Sequence, residues 1–165
     1  NSTPLVEGVE VVLQPDYFDG VTFGSINQGV RDDLGGLIIP SKHIGAPIAP
    51  NFFLEVRRPS GNAVTTKTEM CYYGACGARA MDAMQNYGRF EPEYDGNAYS
   101  FSSTYINGLL KIYAHFIVDP DQTGGTLPAY HMFELKAFNM TSTYKDFIDG
   151  CAAFRNAREL AARLR

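Results

Sequence analysis

The sequence predicts an α/β domain, a mixed β-sheet flanked by helices, and three observations carry that expectation. Residues 66–87 hold no proline and repeat Met70, Tyr73, Gly77, Ala80, Met81 and Met84 at helical spacing. Residues 97–105 and 109–118 are rich in aromatic and β-branched side chains and meet at Asn107-Gly108, a strong tight-hairpin signal. The order strand, loop, strand, helix, three strands, helix then implies a mixed sheet covered by helices.

Each element has its own signal. Val9-Glu10-Val11-Val12-Leu13 reads as a short strand, after which Pro15, Gly20 and Gly24 punctuate a turn-rich stretch. Residues 24–50 carry repeated glycine and proline and read as a long connection, with a short helix at 26–34. The apolar run at 51–56 with the single carboxylate of Glu55 reads as a buried strand, closed by the Pro59-Ser60-Gly61 turn. In the central helix Gly74 and Gly77 each weaken helix formation by roughly 1 kcal/mol relative to alanine, so they are expected to face a sheet at close approach. Gly88 is its natural stop. A strand at 130–138 completes a meander. Thr141 or Ser142 is placed to cap a last helix running to about residue 164, with Phe147, Cys151, Phe154, Ala157, Ala161 and Leu164 on one face.

The chain of 165 residues, 45% hydrophobic, has the size and apolar content of one domain spanning 1–165. No window reaches the apolar length of a membrane span, and residues 1–14 lack a signal-peptide pattern, so no membrane partner is expected. A start at Asn1 rather than Met points to trimming and to a missing N-terminal element. Cys71, Cys76 and Cys151 form an odd set without a CxxC pair. Free thiols suit a reducing, intracellular setting, nuclear or cytoplasmic. The net charge of −4 provides no global attraction for nucleic acid. Any DNA or RNA contact is therefore local, and Arg155 and Arg158 on the last helix are its candidates. The competing reading is that Arg155, Arg158, Arg163 and Arg165 complement the helix C-terminus.

Chemistry is suggested where strand alternation puts Glu55 and Arg57 on one face. If Asp16 ends a neighbouring strand, its carboxylate meets that of Glu55 around one divalent cation. Paired oxygens suit magnesium, which keeps several waters and accepts one or two protein carboxylates together with phosphate oxygens. The bland reading has Asp16 capping a turn and Glu55 paired with Arg57 or Arg79.

The blocks Asn51-Phe52-Phe53-Leu54-Glu55, Gly74-Ala75-Cys76-Gly77-Ala78-Arg79-Ala80-Met81, Tyr94-Asp95-Gly96-Asn97-Ala98-Tyr99 and Ala153-Phe154-Arg155-Asn156-Ala157-Arg158 resemble a family of uncharacterised fungal proteins. That family is similar to the PD-(D/E)XK nuclease-like superfamily, and the resemblance covers the chain from about Pro15 onward. It implies a restriction-endonuclease-like core and a magnesium-dependent phosphodiesterase (nuclease) site. Asp16 is then the motif aspartate, Glu55 the motif glutamate, and both are metal ligands. Arg57 stands where the family has lysine, and an always-charged planar guanidinium is a poor proton shuttle. Glu69 stands where glutamine is common, in a Glu-x-x-x-Tyr arrangement with Tyr73. Both departures imply a degenerate site. The alternative function is a non-catalytic module on the same fold that binds protein or nucleic acid.

A second stretch spells the motif more literally, with Pro120-Asp121 followed by Glu134-Leu135-Lys136. Asp121 would lie in a connecting loop and Glu134 well along a strand, over roughly 10 Å away. A surface or cross-strand charge pair is therefore expected for Glu134 and Lys136. His43, His115 and His131 lack metal-ligand spacing, although His115 and His131 could face each other across the hairpin. Nucleophile-elbow and phosphate-loop motifs are absent from the sequence, and the sequons at Asn1 and Asn139 are too short to imply secretion.

Overall fold

The computed structural model describes residues 3–5, 14–41, 43, 45–124 and 126–165. The strand expected at 9–13 lies outside the described residues. Among the described residues five strands form one mixed sheet in the order β1 (Tyr17–Val21), β2 (Ile48–Arg57), β3 (Ser100–Ile106), β4 (Leu109–Val118) and β5 (Ala129–Asn139). The β2–β3 pair is parallel and the other three are antiparallel. The helices are α1 (Gln28–Ile38), α2 (Ala63–Gln85), the short α3 (Pro120–Thr123) and α4 (Tyr144–Arg163).

The α/β expectation holds, with three particular differences. The segment read as turns holds β1, whose Gly20 sits at a register shift against β2, where a Cβ would strike the Ile48 carbonyl. β1 exists through its pairing with β2, since its five residues carry no alternating pattern of their own. The early helix is longer than expected and begins at the Asn27 cap. The α4 cap is Thr143, whose Oγ1 accepts from the Asp146 N–H at 3.1 Å and bonds the Asp146 carboxylate at 2.7 Å.

Alternation along β2 divides the molecule into two layers. Phe52 packs with Phe101, Ala114, Phe154 and Ala161 under α4, whereas Phe53 packs with Met70 and Tyr73 under α2. A third cluster, Ile38, Ala49 and Ala80, seats α1 beside α2. Buried Asn51 joins β2 to α4, donating to the carbonyls of Tyr99 (3.0 Å) and Ala161 (2.8 Å).

The expected glycine contacts are present on α2. A Cβ on Gly74 would overlap the His115 ring, and one on Gly77 would come within 2.8 Å of Phe53 Cε2 and 3.0 Å of the Pro50 carbonyl. The helix therefore rests on the sheet at distances only glycine permits. Between β3 and β4, Asn107 (φ 49°) and Gly108 (φ 78°) both take the left-handed conformation a tight hairpin requires.

Candidate functional site

Alternation and helical spacing converge at the β1–β2 edge of the α2 layer. Asp16 immediately precedes β1; Glu55 and Arg57 project from the same face of β2; Glu69 and Tyr73 stand one turn apart on α2. The structure thus brings together all five residues assigned to this site.

The contacts are specific. Arg57 forms ion pairs with Glu55 Oε1, with Glu69 Oε2 at 2.9 Å and with Asp16 Oδ2 at 3.7 Å. The Asp16 N–H donates to Glu55 Oε2 at 3.3 Å, and the Val56 N–H donates to Asp16 Oδ2 at 2.8 Å. Glu55 is 1% exposed, while the side chains of Asp16, Glu69 and Arg57 reach the surface. Tyr73, one helical turn beyond Glu69, is buried.

The electrostatics follow from three carboxylates sharing one guanidinium. Burial pushes the Glu55 carboxyl above the usual range, and Asp16 and Glu69 add to the rise against the opposing pull of Arg57. Desolvation acts to lower the Arg57 pKa, yet Glu55, Glu69 and Asp16 together carry it upward, so the guanidinium is held in its charged form. Burial likewise raises the Tyr73 phenol, reinforced by Glu55 and Glu69.

The carboxylates of this cluster share a cation that the chain itself supplies. A hard divalent ion needs oxygens aimed at one common point. Here the point of convergence is the Arg57 guanidinium, while backbone N–H groups already engage Glu55 Oε2 and Asp16 Oδ2. Among the described residues no group of three or more His, Cys, Asp and Glu side chains is arranged to hold a metal.

The two arginines assigned to nucleic acid separate. Arg155 is exposed on α4 beside Glu159, at 3.7 Å. Arg158 instead fastens α4 to β1: it contacts Asp19 at 2.8 Å, donates to the Tyr17 hydroxyl at 2.6 Å and lies over the rings of Tyr17 and Phe154. Burial works against ionisation of Asp19, but the Arg158 and Tyr17 hydrogen bonds hold its carboxyl below the ordinary value. Sequence reasoning missed this lock, because Asp19 and Arg158 lie 139 positions apart and no local pattern links them.

The literal motif at 120–136 is divided as geometry required. Asp121 belongs to α3 in the β4–β5 connection, and Glu134 on β5 pairs with Lys111 of β4 at 2.9 Å. Lys136 lies over the Phe138 ring instead of joining Glu134. His115 and His131 do not face each other. Their partners across the ladder are Met132 and Phe116, so they project to opposite faces: buried His115 lies 2.7 Å from Ser102 Oγ, and exposed His131 stacks on Phe116.

The three cysteines are free thiols, Cys76 buried and Cys71 and Cys151 exposed. Burial raises Cys76 to about 11, which marks it as a packed and unreactive group. No helix among the described residues is long and apolar enough to cross a membrane. Comparison of the chain with protein-family models, with curated proteins and with solved structures finds no match.

Proposed function

We propose that this domain is a non-catalytic interaction module with a PD-(D/E)XK-like layout, in which the position of the hydrolytic centre is closed by an internal cation. One observation carries the reading: the Arg57 guanidinium lies among Asp16, Glu55 and Glu69, where a nuclease would require a metal and a movable proton carrier. Arginine satisfies the charge requirement of the acidic cluster without supplying Lewis acidity or a transferable proton. The carboxylates serve cohesion, tying the entry of β1 to β2 and β2 to α2.

Nucleic acid is the weaker partner for such a module. Arg158 is committed to Asp19, Arg155 stands beside Glu159, and the chain has a net charge of −4. A protein or small-molecule partner agrees better with that charge distribution.

The test is a cleavage assay with labelled duplex DNA and single-stranded RNA in millimolar magnesium or manganese, run beside an anisotropy titration at low salt. The unmodified chain is expected to leave both substrates intact and to show no saturable, salt-sensitive binding. Metal-dependent cutting that disappears in Glu55→Gln would overturn the proposal and restore Asp16 and Glu55 as ligands. If Arg57→Lys cuts where the unmodified chain does not, the layout is that of a nuclease silenced by arginine.

A further inference from the structure

The opposite side of α2 carries a second feature, unrelated to the carboxylate cluster. The first turns of α2 and the hairpin end of β3 and β4, with Met132 of β5, enclose an open groove of ≈ 660 Å³. Its walls include Val64 and Lys67 from α2 and Ile106, Leu109, Lys111 and Tyr113 from the sheet. Contact between Gly74 and His115 fixes the level of helix against strand. From that contact toward the hairpin, α2 contributes Cys71, Lys67 and Val64 to the groove, and β4 contributes Tyr113, Lys111 and Leu109.

Two lysines line the groove, Lys67 from the helix wall and Lys111 from the sheet wall, together with the apolar side chains of Val64, Ile106 and Leu109. Lys111 is partly neutralised by Glu134, whereas Lys67 is exposed and forms no ion pair among the described residues. Counting Lys67, Lys111 and Glu134 leaves one net positive charge locally, within a chain of net −4. Val64 is 75% exposed and Leu109 38%, so the apolar end is open to a ligand's body. Buried Tyr113 and Thr104 add polar groups to the lining. Concave, largely apolar walls with a few placed polar groups are the form of small-molecule sites.

We infer that this groove binds a small amphiphilic monoanion, a carboxylate headgroup on an aliphatic or aromatic body. The headgroup lies between Lys67 and Lys111, and the body runs over Ile106, Leu109 and Val64. Charge complementarity selects the anion, because an uncharged amphiphile of equal length gains the apolar contact and loses the lysines.

The probe is 1-anilinonaphthalene-8-sulfonate, titrated into the native full chain by fluorescence and displaced with decanoate or decanol. Saturable 1:1 binding is expected, with decanoate displacing the probe at least about fivefold more effectively than decanol. Lys67→Glu is expected to weaken decanoate by about five- to tenfold, and Val64→Asp to weaken both competitors, with urea midpoints unchanged because both positions are exposed. Decanoate should also slow alkylation of the exposed groove thiol Cys71 by iodoacetamide. Equal displacement by decanol and decanoate, or probe binding insensitive to both substitutions, would overturn the inference.

Discussion

Lysine and arginine carry the same charge but differ in reach and shape, and at position 57 that difference decides what the acidic cluster is. A lysine ammonium is a compact point charge that leaves neighbouring carboxylate oxygens free, whereas the planar fork of Arg57 engages Glu55, Glu69 and Asp16 together. Elsewhere a single buried residue sets an acid sensitivity. Burial holds the His115 pKa down to about 3 in the folded chain. Its unfolded value is about 6.5, so as pH falls through that value the unfolded chain takes up a proton that the native chain refuses. Stability contributed by neutral His115 is therefore intact above pH ~6.5 and lost progressively toward pH ~3, at about 1.4 kcal/mol per pH unit. Glu55, raised by burial, acts with the opposite sign, its charged form costing stability as pH rises through its folded pKa. Urea unfolding between pH 6.5 and 4.5 should show a shallower pH slope for His115→Gln than for the unmodified chain; parallel slopes would show that His115 titrates in the native state.

At the scale of elements, the α2–sheet contact is the most demanding fit. Gly74→Ala places a methyl group within the His115 ring, with backbone on one side and a packed strand on the other. It is expected to destabilise the chain by about 2 kcal/mol, read as a lowered urea midpoint, because overpacking a close contact moves whole elements. A neutral Gly74→Ala would mean that His115 has room to swing away. That contact was legible in the sequence, since two glycines inside an otherwise strong helical pattern have few other uses. The Asn107-Gly108 hairpin and the β2 strand with its buried Glu55 were equally legible, because each is written in adjacent residues. β1 was not: five residues containing a glycine become a strand only when β2 offers its edge. The histidines show the same limit. Their face depends on the β4–β5 register, and a shift of one residue sends His115 and His131 to opposite sides of the sheet. β5 also carries a register shift between the partners of Ile112 and Tyr113, and with exposed Glu134 and Lys136 this discourages further strands from pairing at that edge.

Across the whole molecule, ion pairs secure the β1 edge from both layers. The Asp16–Glu55–Arg57–Glu69 cluster lies on the α2 side and the Asp19–Arg158 lock on the α4 side. The sequence made the first cluster visible as a candidate site because the carboxylates fall on recognisable strand and helix positions. It could not show that Arg57 would pair with all three carboxylates, because that depends on three elements meeting at one point. Magnesium and manganese titration by calorimetry, on the unmodified chain and on Arg57→Ala, tests this account most directly. Removing Arg57 leaves three carboxylates without their cation. With Arg57 34% exposed, the loss should be about 2 kcal/mol, below the ~3–5 kcal/mol of a fully buried pair. The unmodified chain should show no saturable metal binding at millimolar concentrations, and Arg57→Ala should gain a new divalent site that recovers the lost stability. Saturable magnesium binding by the unmodified chain, abolished by Glu55→Gln, would contradict it.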